Sequence, residues 1–280
     1  MIYNLFVKVM KKYPFKKPIN DEELTTFLIS LGKKTIKFIN NSSISRLKNK
    51  SDGTDLSEAD LKLDKILFTL LKNFDPSITI ISEERDVKKE TFMKKSYWLV
   101  DPIDGTTNYV NGGNEFTINV ALINNGIPII GLIAHPPTRE IWVALKKKVF
   151  IYDALNDLRK TLFKKPLNIN NPGIIISKEE NIKTHNFIKK IKNKKIIYVS
   201  SSLKFCYLAA KRAILYPRFS VIKKWDIAAG HAILRASGGE LTNIDGTAYK
   251  YNYPSELSKE FFAFSLKSWR KTLNLQSNIN

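Results

Sequence analysis

The chain has 280 residues, 43% apolar and 11% aromatic, enough for a properly buried core and too hydrophobic for a disordered protein. Its single cysteine, Cys206, excludes an intramolecular disulfide and a cysteine zinc cluster. The formal charge of +20 is scattered in Lys16-Lys17, Lys33-Lys34, Lys146-Lys147-Lys148 and Lys194-Lys195, without a basic helix carrying interleaved aromatics. That pattern favours solvated charge over a surface for nucleic acid or anionic lipid.

In chain order, residues 1–20 carry two prolines and five lysines without a clear period and read as a loosely held extension. The start, Met1 to Lys8, is too interrupted for a signal peptide. The most continuous apolar run, Gly126 to Ala134, is far below membrane-spanning length and contains Pro128, so a soluble protein is expected. Asp21-Glu22-Glu23 opens a helical pattern through Leu24, Leu28, Leu31, Ile36 and Ile39, with acids where the helix dipole favours them. Residues 40–55 read as a loop. Ser57 is placed to cap a second helix through Leu61, Leu67 and Leu71.

From Ile78 the period becomes that of strands: 78–81, 97–100, 117–123, 129–134 and 140–145, with Asn124-Asn125-Gly126 as a turn. After residue 146 the chain alternates strands (174–176, 196–199) with helices (180–192, 204–214 and 226–236, the last stopped by Gly238-Gly239). The expected organisation is an extension over 1–20, an α+β half over 21–145 that binds metal, and an α/β half over 146–280. There is no internal repeat.

Asp101-Pro102-Ile103-Asp104-Gly105-Thr106 ends an apolar strand in a tight turn. Two carboxylates three residues apart there can face one point, and together with a backbone carbonyl they suit a hard cation such as Mg²⁺. The amides of Gly105 and Thr106 at a helix start suit a phosphate. An ordinary turn has the same residues, so this motif alone does not decide. Glu83, after Ile80-Ile81-Ser82, is within reach of the same cation, and Asp226 follows Trp225 at a helix start where an N-cap would also be expected. His135, His185 and His231 have no ligand spacing, and Cys206 reads as a buried thiol.

Taken together, Asp60, Glu83, Asp101 to Thr106 and Trp225-Asp226, in that order, resemble the inositol monophosphatase superfamily of Mg²⁺-dependent, lithium-sensitive phosphatases. The resemblance covers roughly residues 50 to 250 and implies a layered α/β/α/β/α sandwich with the site between its halves. It also implies a cytoplasmic location, with peripheral contact at the inner membrane and a homodimer both left open. Two groups within the superfamily compete. Asp101 to Asn108 looks like the inositol monophosphatases. Asn114 to Ile123, Ser201 to Cys206 and Leu215 to Phe219 look like the 3′(2′),5′-bisphosphate nucleotidases of sulfur metabolism.

In those nucleotidases the positions matching Ser201, Lys204 and Arg218 contact the nucleotide. A guanidinium suits a second phosphate because it binds phosphate oxygens in bidentate fashion. The resemblance implies two or three Mg²⁺ ions. One is held by Glu83, Asp101 and the Ile103 carbonyl, and a second by Asp101, Asp104 and Asp226. Asp60 and Thr106 would orient the attacking water, with Glu83 also catalytic, and the substrate phosphate would meet Glu83, Ile103, Asp104, Gly105, Thr106 and Asp226. Three functions stay open: a nucleotidase acting on adenosine 3′,5′-bisphosphate, an inositol- or sugar-phosphate phosphatase, and a non-catalytic binder of RNA or acidic lipid. The complete set of acids argues against the third.

Overall fold

The computed structural model describes residues 13–42, 46–49, 55–162, 172–178 and 180–272. Helix α1 (Asp21–Asn40) starts at a capping box: the Asn20 side-chain oxygen accepts the Glu22 and Glu23 amides at 2.9 Å, and the Glu23 carboxylate accepts the Asn20 amide at 3.1 Å. Its apolar stripe of Leu24, Leu28, Leu31, Ile36 and Ile39 is buried. Each such leucine or isoleucine contributes about 1.5–3 kcal/mol by leaving water. Strands β1 (Arg46–Asn49) and β2 (Asp55–Ser57) pair antiparallel, so the segment expected as a loop over 40–55 carries a short two-stranded sheet. Helix α2 (Glu58–Phe74) follows directly, capped by Ser57 as expected.

The first sheet has seven strands in sequential order: β3 (Thr79–Ser82), β4 (Ser96–Asp104), β5 (Thr117–Asn124), β6 (Ile127–His135), β7 (Glu140–Leu145), β8 (Lys148–Asp153) and β9 (Leu158–Thr161). Only β3 and β4 are parallel; the rest form an antiparallel meander. Helix α3 (Thr106–Val110) is a short insertion between β4 and β5. The meander runs past residue 145, where the change of pattern was expected. Lys146, at φ 57°, takes the left-handed turn that joins β7 to β8, and two short strands continue the same ladder. Both faces of the sheet are buried, which is why its strands read as continuous apolar runs rather than alternating ones. Trp98 and Val100 pack with the leucines of α1 and α2, while Tyr97 and Leu99 face the opposite core.

The second sheet, in order β11-β10-β12-β14-β13, comprises β10 (Gly173–Ile176), β11 (Lys195–Tyr198), β12 (Leu215–Arg218), β13 (Glu240–Asn243) and β14 (Phe261–Phe264). Its helices are α4 (Ile182–Lys189), α5 (Leu203–Ala209) and α6 (Trp225–Ala236), with α7 (Trp269–Thr272) at the end of the described residues. Helix α5 stops short of the expected residue 214 because Lys211 turns left-handed at φ 59° and the chain then enters β12. Helix α4 is likewise shorter than the expected 180–192. Phe187 and Ile188 of α4 cover one face of this sheet, and α5 and α6 lie between the two sheets. The result is the expected five-layer α/β/α/β/α sandwich.

Helix α6 lies very close to the first sheet. A Cβ on Gly131 of β6 would sit 2.5 Å from the Ala229 carbonyl oxygen, so only glycine admits the helix here.

Residues 13–20 are not loosely held. Tyr13 and Phe15 are buried, Phe15 stacks on Trp98 at 6.1 Å between centroids, and the Lys16 amide donates to Asp75 at 2.7 Å. Two aromatics without periodicity left no helix or strand signal, yet they cap a core that the first helices leave open. Residues 1–12 of the expected extension lie outside the described residues. Among the described residues, no helix is long and apolar enough to cross a membrane.

Candidate active site

The end of β4 is reshaped by its own sequence. Asp101 pairs with Asn119 and Asp104 with Thr117, so the ladder is irregular across Pro102-Ile103, where proline cannot donate a ladder hydrogen bond. Gly105 then takes φ 90° and opens α3, and its carbonyl receives the Tyr109 amide at 3.0 Å. A Cβ there would approach the Glu115 carbonyl oxygen at 3.0 Å as well as straining the backbone. Beside this turn, the Glu83 amide donates to the Val100 carbonyl at 3.1 Å, extending the β3–β4 pairing by one residue.

Asp226 comes from the other half of the chain. It lies in the first turn of α6, where its carboxylate accepts the Lys223 amide at 3.1 Å. The turn before it is locked by Lys224, a fully buried lysine. Its Nζ donates to the Tyr251 and Tyr253 carbonyls at 3.0 and 2.7 Å and lies 3.5 Å from the Tyr253 ring centroid.

Glu83, Asp101 and Asp226 each present a carboxylate oxygen, all within 4.8 Å of one another. Asp101 is 1% exposed and its Oδ1 has no hydrogen-bond partner. Burial pushes the Asp101 carboxyl well above the usual range, and Glu83, Asp104, Asp226 and Asp60 push it further. Asp226 is raised in the same way, by burial and then by Asp104 and Glu83. An orphaned oxygen on a buried carboxylate, facing further acids, is the mark of a site completed by a cation. The all-oxygen donor set fits a hard divalent ion.

Asp104 has a different setting. Its Oδ2 accepts from Ser201 Oγ and the Ser202 amide at 2.7 Å, from Asn119 Nδ2 at 3.2 Å and from Thr117 Oγ1 at 3.4 Å. Ser202 Oγ in turn donates to the Asp226 carbonyl at 2.6 Å and accepts from Asn119 at 2.8 Å, tying both halves together. Ser201 holds its place in left-handed backbone at φ 56°. Thr117, Asn119 and Ser202 were not anticipated from the sequence. The available signal was a polar pair inside the apolar run Thr117-Ile118-Asn119-Val120, since polar groups buried in a central strand need partners.

Thr106 Oγ1 lies 3.2 Å from Asp60 Oδ1 and 2.9 Å from the Ile103 carbonyl oxygen. Asp60 Oδ2 accepts from Ser57 Oγ at 2.6 Å and from the Ser57 amide at 2.9 Å, so the capping box of α2 also aims Asp60 at Thr106.

Of the two cations singled out in sequence, Lys204 is buried and Arg218 is half-buried. Lys204 is 7% exposed, with Nζ 3.3 Å from the Val199 carbonyl oxygen and 5.5 Å from the Tyr216 ring centroid. Burial draws its pKa down to about 8, Arg218 adds to that, and Asp104, Glu180 and Asp226 resist it. Arg218 Nη1 donates to Glu180 Oε1 at 3.0 Å and Ser177 Oγ at 3.2 Å. Elsewhere, His231 is packed beside Tyr251, and burial, followed by the Arg235 charge, lowers its pKa to about 3. His135 is bonded to Thr138 and the Asn114 carbonyl, and Cys206 is buried. All three are structural.

A five-layer sandwich that gathers a buried Asp101 and half-buried Glu83 and Asp226 at one point is the architecture of the layered, metal-dependent phosphatases. The chain matches the inositol monophosphatase family over residues 20–272. It is 34% identical over 260 residues to the 3′(2′),5′-bisphosphate nucleotidase CysQ of Buchnera aphidicola, covering 89% of this chain and 96% of that one. The Escherichia coli K12 protein of the same name is 30% identical over 205 residues, 72% of this chain and 82% of that one. The crystal structure of CysQ from Bacteroides thetaiotaomicron superposes with a TM-score of 0.72 at 26% identity, covering 84% and 93% of the two chains. The Thermotoga maritima inositol monophosphatase superposes at 0.73 with 22% identity, covering 92% and 98%, a likeness of fold. The chain therefore belongs to the inositol monophosphatase family, whose members are metal-dependent phosphatases, and it is a phosphatase.

Proposed function

We propose that the protein is a Mg²⁺-dependent 3′(2′),5′-bisphosphate nucleotidase that removes the 3′-phosphate of adenosine 3′,5′-bisphosphate, leaving AMP and phosphate. The observation that carries this reading is the pair of cations, buried Lys204 and half-buried Arg218, in the half of the chain that supplies Asp226. Their charges act on Asp226 or Asp104, and a substrate with one phosphate has no use for them. The similarity to the nucleotidase relatives points the same way.

Glu83, Asp101 and the Ile103 carbonyl would hold one Mg²⁺, and Asp101, Asp104 and Asp226 a second. When bound, the metal acidifies a water and offsets charge on the phosphoryl oxygens. Asp60, kept in place by Ser57, takes the Thr106 hydroxyl proton in a hydrogen bond. The Thr106 oxygen is then free to accept from the attacking water and hold it in line with phosphorus. The amides of Gly105 and Thr106 donate to the phosphate as its charge develops. Ser201 steadies Asp104, and Lys204 with Arg218 receives the 5′-phosphate.

The stretch Asp101 to Asn108 keeps an inositol-phosphate phosphatase as the second reading. Phosphate release with Mg²⁺ from adenosine 3′,5′-bisphosphate, inositol 1-phosphate and a sugar phosphate decides between them. A higher kcat/KM on inositol 1-phosphate would overturn the nucleotidase assignment.

A further inference from the structure

Arg218 lies at the end of β12, and the loop after β10 closes over it. Glu180, in that loop, has a side chain with no solvent exposure, and Arg218 keeps 14%. The carboxylate is itself held: Oε1 accepts the Ser177 amide at 3.1 Å as well as Arg218 Nη1 at 3.0 Å, and Oε2 lies 3.3 Å from the Thr184 hydroxyl, which it shares with Asn181 Oδ1 at 3.0 Å. Thr184 is in the first turn of α4 and is fully buried. Glu180 therefore cannot swing away, and it holds Arg218 by one end of the guanidinium only. Arg218 Nε has no hydrogen-bond partner.

We propose that Glu180 is a positioning residue for the recognition of the second phosphate, a role that rests on the nucleotidase reading above. Glu180 touches no substrate. It preorders Arg218 so that the guanidinium is already aimed when a second phosphate arrives, and the entropy of fixing a long side chain is not lost on binding. A rigid, buried acceptor shared with a backbone amide has this effect. An exposed carboxylate free to compete with phosphate would have the opposite one.

The experiment compares kcat and KM on adenosine 3′,5′-bisphosphate and adenosine 3′-monophosphate, which share the scissile phosphate and differ in the 5′-phosphate. It uses wild type, Glu180→Gln, Arg218→Ala and the double variant, each checked by thermal melting. Glu180→Gln should lower the ratio of kcat/KM values, bisphosphate over monophosphate, by about tenfold, mainly through KM, as expected for weakening one charge-assisted contact. In the Arg218→Ala background it should change that ratio no further. An equal loss on both substrates would make Glu180 merely structural, and a raised or unmoved ratio would show that it competes for Arg218 or is idle. Either result overturns the proposal. If Glu180→Gln does not fold, Ser177→Ala, which removes only the neutral acceptor, must lower the ratio about two- to fivefold, and no movement is refutation. A wild type without preference for the bisphosphate, or an Arg218→Ala variant that keeps it, would defeat the nucleotidase reading itself.

Discussion

Asp101→Asn tests the metal site most directly. Two full charges at the 4.8 Å limit separating the Glu83, Asp101 and Asp226 oxygens repel by about 3 kcal/mol at an effective dielectric of about 20. Burial first and this repulsion second raise Asp101 and Asp226, so without metal the site relieves part of the repulsion by holding protons. Replacing Asp101 removes its repulsion with both neighbours, and the new amide can donate to them. Metal-free stability should therefore rise by about 1–2 kcal/mol, seen as a Tm higher by about 2–8 °C. Wild type should gain about 2.7 kcal/mol from Mg²⁺ at a hundred times Kd, and the variant should lose most of that gain together with nearly all turnover. The assays are thermal melts with chelator or Mg²⁺, and phosphate release. Turnover above about a tenth of wild type at saturating Mg²⁺, or an undiminished Mg²⁺ shift in Tm, would refute the role given to Asp101.

Thr106→Ala should lower kcat about a hundredfold with little change in KM; a change mainly in KM would reassign Thr106 to substrate binding. Arg218→Ala should cut kcat/KM on adenosine 3′,5′-bisphosphate by about ten- to a hundredfold, and by less on adenosine 3′-monophosphate. The raised carboxyls of Asp101 and Asp226 mean that the metal-free fold binds more protons than the unfolded chain. Their contribution to stability should therefore fall as pH rises from the ordinary carboxylate range through the raised pKa values, opposing buried His231, and Mg²⁺ should flatten the fall. Metal-free melts of wild type against Asp101→Asn between about pH 4 and about pH 8 check the sign, and a wild type that gains on the variant as pH rises would contradict it. Gly131→Ala should destabilise by about 1–3 kcal/mol and reduce turnover by displacing α6 and Asp226. An unchanged Tm would show that the helix has room to shift.

What the sequence revealed depended on how local each signal was. Asp101 to Thr106 was legible because strand, turn and carboxylates are contiguous. The main helices and most long strands were legible because burial imposes their periods. Asp60 was legible only through the resemblance, since a capping box by itself gives a sufficient reason for an acid at that position. The supports of Asp104 were only partly legible: Thr117 and Asn119 on the neighbouring strand are a polar pair in an apolar run, whereas Ser202 reaches Asp104 from the other half of the chain. Lys204 and Arg218 were singled out only through the resemblance, since in a lysine-rich chain neither cation carries a local signal of its own. Glu180 had no local signal, as its partner Arg218 belongs to a different strand. β8 and β9 are short and, like Tyr13 and Phe15, take their order from the surface they cover.

The close approach of α6 to Gly131 also bears on how the enzyme comes into being. The acids of the first sheet are synthesised early, but Asp226 follows much later. The second sheet is not contiguous until β14 has entered between β12 and β13. Until α6 is in place, Glu83 and Asp101 lack the third carboxylate of the trio. Assembly of the carboxylate trio is thus tied to the docking of α6 on the first sheet, so the site and the contact between the two halves form together.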